Sequence, residues 1–169
     1  MMNQKEAKQN LNNLGYTYDP DLSTNESKVF VDKDGTPNIA FRGSKRVSDF
    51  LGSDLKLALG LEKYDRRFQE AKHLTKLVED KYAKPANTYG YSLGGSLAEK
   101  SGANGNVHTY NKGVGIMDIG KSIPKNQVDV RTENDPVSML AATQKHDGRF
   151  KEIPSVRAGL LEAHSLDNL

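Results

Sequence analysis

Cysteine is missing from this 169-residue chain. Its absence excludes disulfides, thiolate metal sites and cysteine nucleophiles together. It leaves the redox compartment open. An excess of charge is missing too: 24 basic and 22 acidic residues give a formal net charge of +2. No run of Lys and Arg forms a basic block, so no nucleic-acid partner is expected, and contact with a lipid surface is expected to be peripheral at most. No apolar run approaches the ~18 residues that a membrane span needs. The opening MMNQKEAKQN has no apolar stretch of the kind found in secretory signals. A soluble protein is expected, with the compartment open between cytoplasmic and virion-associated. Histidines and carboxylates show no ligand spacing such as His-Glu-x-x-His, so neither metal nor cofactor is expected.

What remains is ordinary: 36% hydrophobic and 27% charged residues. That suits one domain over residues 1–169 with one core. Residues 2–14 pattern as a short helix capped by Gly15, and a polar loop follows to Ser27. Residues 28–32 and 38–42 flank an Asp34-Gly35 turn, which is a hairpin signal. Residues 46–58 look like a loop and a short helix. Leu61, Tyr64, Phe68, Ala71, Leu74, Val78 and Tyr82 recur at three- or four-residue spacing, which predicts a helix over 61–83. Strands are expected at 86–91, 106–110 and 126–131, a small-residue helix at 93–102, and a short helix in the tail from Val156. Alternating strands and helices predict an α/β fold with a mixed, mostly parallel sheet.

The chemistry-bearing motif is Gly90-Tyr91-Ser92-Leu93-Gly94. Gly-x-Ser-x-Gly between a strand and a helix makes a nucleophile elbow. The serine sits on a sharp turn that pushes Oγ above the sheet edge. The free N–H groups of the next helix then face the developing oxyanion. Chance produces the pentapeptide in roughly one chain of this length in ten to twenty. Its specificity must therefore come from context.

The triad order in this fold is Ser, then an acid, then His. His73 precedes Ser92 and reads as solvated. His108 lies inside the strand after the elbow helix and reads as a packed or edge histidine. His146 lies in a polar loop sequence. His164 lies among Leu160, Leu161 and Leu166, which would hold an imidazole in one orientation, so it is the preferred base. Asp135, just past the 126–131 strand, is the preferred acid, with Glu133 as its nearest rival. Asp129 falls inside the strand, and Asp118 in a glycine-rich stretch. Leu93 N–H supplies one oxyanion donor. Ser44, after Arg42-Gly43, is placed for the second.

Three ordered segments carry a family resemblance. They are Ile39-Ala40-Phe41-Arg42-Gly43-Ser44 with Asp49-Phe50 and Asp54-Leu55 behind it; Gly90-Tyr91-Ser92-Leu93-Gly94-Gly95-Ser96-Leu97-Ala98; and Asn134-Asp135-Pro136-Val137. Together they resemble the class 3 lipases, over roughly residues 28–165. The resemblance implies a compact α/β-hydrolase fold, an ester or lipid substrate, and an oxyanion role for Ser44. Two departures stand out. Tyr110-Asn111-Lys112 replaces the family's Gly-Ser-Pro, and no amphipathic lid is evident between residues 44 and 61. The expected activity is carboxylic ester hydrolysis through Ser92, His164 and Asp135. A non-enzymatic module that keeps the fold, and acyl transfer or thioester cleavage by the same triad, are the competing readings.

Overall fold

The computed structural model describes residues 4–44, 62–147 and 149–155. The expected short helix within 46–58 and the tail from Val156, with His164, lie outside them.

Helix α1 spans Gln4–Asn13. Gly15 closes it at φ +87°, while Tyr16 N–H bonds the Leu11 carbonyl at 2.9 Å. That is the reversed cap for which glycine is the least strained residue. The following stretch is not all loop. Strand β1 (Thr17–Asp19) pairs antiparallel with β2 (Ser27–Val31). Three residues are too few for a periodic signal to register. Strand β2 pairs with β3 (Pro37–Phe41) across the expected hairpin. The Asp32 carboxylate accepts the N–H groups of Asp34 and Thr36 at 2.9 Å each, and Gly35 takes φ +76°.

Helix α2 (Glu62–Tyr82) leads to β4 (Asn87–Tyr91), and helix α3 (Leu93–Lys100) joins β4 to β5 (Val107–Tyr110). Strand β6 (Gln127–Thr132) follows. A last strand, β7 (Phe150–Ile153), was not expected from the sequence. Its centre, Lys151-Glu152, is charged and exposed, as suits an edge strand. The sheet runs β1-β2-β3-β4-β5-β6-β7 and is parallel from β3 onward. The chain is therefore an α/β protein with a mixed, mostly parallel sheet. Among the described residues no helix is long and apolar enough to cross a membrane.

Helices α2 and α3 bury their apolar sides against the same sheet face. Ala71, Leu74 and Val78 of α2 join Leu93, Leu97 and Ala98 of α3. They pack on Val29, Ile39 and Phe41 from the hairpin, with Ala86 and Val107. This cluster ends at β5. Farther along, the buried side chains include a polar group, Thr109, Gln127, Asp129, Lys112 and His146.

Candidate active site

Ser92 stands between β4 and α3 with φ 57° and ψ −126°. An L-residue in this region stores about 1–3 kcal/mol of strain, so neighbouring structure must impose it. Four backbone hydrogen bonds do so. Ser92 N–H bonds the Tyr110 carbonyl at 3.1 Å. The Ser92 carbonyl accepts Gly95 N–H at 3.0 Å, Ser96 N–H at 3.4 Å and Gly113 N–H at 3.2 Å. The flanking glycines are sterically required. A Cβ on Gly90 would lie 2.0 Å from the Gly94 carbonyl oxygen, and one on Gly94 would lie 2.3 Å from that of Phe41.

Leu93 is the first residue of α3, so its N–H has no carbonyl within the helix to bond. Residues 42–44 leave β3 alongside the elbow. A Cβ on Gly43 would lie 2.8 Å from the Tyr91 carbonyl oxygen and 3.4 Å from Ser92 Cβ. Arg67 of α2 steadies this segment by donating to the Arg42 carbonyl at 2.7 Å and pairing with Glu26 at 2.9 Å. Ser44, half-buried, follows directly.

Asp135 lies three residues beyond the end of β6, the strand next to β5, which itself adjoins the elbow strand. It is fully buried. Its carboxylate accepts Val137 N–H and Ser138 N–H, both at 3.1 Å, and the Ser138 hydroxyl. The Asn134-Asp135-Pro136 turn thus clamps the acid in one orientation, with Asn134 at φ 61°. Burial raises the Tyr91 hydroxyl well above its usual range, and the Asp135 charge adds to it. Glu133, the rival acid, is exposed.

The histidines separate clearly. His73 is exposed on α2. His108 is exposed on the sheet face away from α2 and α3, stacked on Tyr89 at 5.1 Å and 9°. His146 is not a solvated loop residue: it is buried and both ring nitrogens are engaged. Nδ1 donates to the Gln144 carbonyl at 2.9 Å, and Nε2 meets Asp129 at 2.7 Å. Among the described residues no histidine bonds Ser92. His164 lies outside them, so the structure brings the elbow, Ser44, Leu93 and Asp135 to one region and does not test the base.

Asp129 anchors a polar cluster that the sequence did not announce. It pairs with Lys112 at 2.6 Å and accepts Thr109 Oγ1 at 2.6 Å and Gln127 Nε2 at 2.7 Å, besides its contact with His146. Burial alone would raise its carboxyl. The Lys112 charge and the bonds from Lys112, Thr109 and Gln127 outweigh burial and hold it below the usual carboxylate range. Asp118, from the glycine-rich stretch, pairs with Lys100 and Lys121 at the surface.

A cavity of about 650 Å³ opens between α2 and the 21–27 loop, walled by Leu22, Phe41, Leu74, Leu77 and Leu97. Its walls include neither Ser92 nor Asp135. Comparison with known protein families and with curated proteins returned no match.

Proposed function

We propose that this chain is a serine hydrolase that cleaves carboxylic esters, with lipid esters as its preferred class. The observation that carries the reading is the backbone of Ser92. A strained serine, over-determined by four hydrogen bonds, sits where a parallel strand enters a helix. Strain of this kind persists where a function needs the side chain presented. The buried, clamped carboxylate of Asp135 and the ordered class 3 lipase-like segments support the same reading.

In the proposed reaction Ser92 Oγ attacks the acyl carbon while His164 takes its proton. The Leu93 N–H and Ser44 receive the oxyanion. The tetrahedral intermediate collapses, and His164 returns the proton to the departing alcohol. Water then attacks the acyl-serine with His164 as base, releasing the acid and restoring Ser92. Asp135 orients His164 and stabilises its imidazolium.

The test is reaction with a fluorophosphonate probe, joined to turnover of p-nitrophenyl esters of several chain lengths. Wild-type protein is expected to label and turn over. Ser92→Ala is expected to lose both, by orders of magnitude, because a triad nucleophile acts as a unit with its base. His164→Ala should fall as far, while His146→Ala should lose stability first. A wild-type protein that neither labels nor hydrolyses any ester leaves a non-catalytic module as the reading.

A further inference from the structure

Lys112 is the largest fully buried side chain among the described residues, at 1% exposure. A lysine in that position is held by partners or it is not charged. Its Nζ bonds Glu99 of α3 and Asp129 of β6. Gln127 Nε2 bridges the same two carboxylates at 2.6 and 2.7 Å. His146 faces oxygen acceptors from both ring nitrogens, contacts that are satisfied together when both nitrogens carry hydrogen.

This cluster sits directly behind the elbow. Lys112 follows Asn111, whose backbone turns at φ 44° and whose side chain is locked onto Thr132 of β6 by two bonds, at 2.7 and 3.2 Å. Its Cβ occupies the space that a side chain on Gly95, in the first turn of α3, would need, 2.6 Å from that position. The next residue, Gly113, donates its N–H to the Ser92 carbonyl and accepts the Ser96 hydroxyl. Helix α3, strand β6 and the 111–113 loop therefore meet at one ammonium, one residue away from a bond that holds the strained serine.

We propose that Lys112 is a positioning residue for Ser92: its buried ammonium pins the 111–113 loop to α3 and β6, and Gly113 transmits that restraint to the elbow. The inference rests on the hydrolase reading for its catalytic consequence. Its structural part, the protection of the Gly113 amide, stands apart from that reading.

The experiment compares full-length wild type, Lys112→Met, and a triple variant, Lys112→Met with Glu99→Gln and Asp129→Asn, which leaves no bare buried carboxylate behind. Val78→Ala, on the buried face of α2, is the control for lost stability alone. Well below the unfolding temperature, fluorophosphonate labelling and kcat are expected to drop about 10- to 100-fold in both lysine variants, the scale of a misplaced reacting group, with KM little changed. Gly113 amide exchange should accelerate by a similar factor. Val78→Ala should leave all three near wild type. If Lys112→Met does not fold, the triple variant carries the test. Lysine variants that label at the wild-type rate and keep Gly113 protected overturn the proposal. A wild type that never labels ends the hydrolase reading and the catalytic part of this one, while the Gly113 exchange still decides whether the restraint exists.

Discussion

The two ends of the sheet bury the same face by opposite chemistry. On β2 and β3 the helix-facing side is apolar, with Val29 and Ile39 fully buried beneath Leu74, Val78 and Leu97. Beyond Val107 of β5 it turns polar, with Thr109, Gln127 and Asp129 facing the helices and Lys112 and His146 closing over them. An apolar contact is non-directional and tolerates small shifts. A buried ionic cluster fixes geometry more sharply, because each group left unpaired is expensive. The elbow lies at the junction of the two halves, with its helix in the apolar core and its back against the polar cluster. The apolar half supplies cohesion, and the polar half supplies placement.

The comparison can be broken most directly at Asp129. Asp129→Ala leaves Lys112 with Glu99 alone and takes the acceptor from Thr109, Gln127 and His146 in the interior; it is expected to cost about 3–5 kcal/mol in urea unfolding at pH 7. A loss below 1 kcal/mol would mean that the cluster is not tightly coupled. In the other half Leu97→Ala, which leaves a cavity under α3, is expected to cost about 2–5 kcal/mol. That deficit should be independent of pH.

The pH dependence sharpens the contrast. The Asp129 carboxyl is depressed in the folded protein, so its contribution is complete above the ordinary carboxylate value of about 4 and is lost as pH falls through the folded value. The gap between wild type and Asp129→Asn, measured by denaturant unfolding, should therefore narrow as pH drops below ~4. A gap that stays constant to pH 2 would contradict it. The smallest effect belongs to exposed ion pairs. Lys76→Ala, which removes the pair with Asp80 on α2, should cost only about 0.3–0.5 kcal/mol and nothing resolvable at 1 M salt.

Much of the apolar half was legible beforehand. The helical period through Ala71, Leu74 and Val78, and the Asp34-Gly35 turn between two apolar runs, are local signals that tertiary contacts did not have to override. The elbow was legible as a pattern, since Gly90 and Gly94 answer to backbone closeness that only glycine allows. Asp135 stood out because Pro136 marks a turn just past a strand. The polar half was not legible. Along β6 the period-two pattern suggests that Val128 and Val130 face inward, yet Val128 is 37% exposed and Asp129 is 1% exposed. Nothing local to Asp129 reveals that Lys112, distant in sequence, will pair with it, or that His146 will bond it. Lys112 itself registered only as a departure from a lipase-like Gly-Ser-Pro. Strand β7 escaped because an edge strand carries charge rather than alternation.

The sequence by itself determined the order of strands and helices from β2 to β6, the serine at a strand-to-helix turn and the carboxylate at a later turn. Those depend on periodicity, glycine and proline, which act within a few residues. Only the tertiary structure decided that Ser92 is strained, that Asp135 is clamped, and that His146 is committed to Asp129 rather than available as a base. Burial and charge pairing are properties of neighbours brought together by folding. A residue's polarity does not state whether it will meet water or a partner.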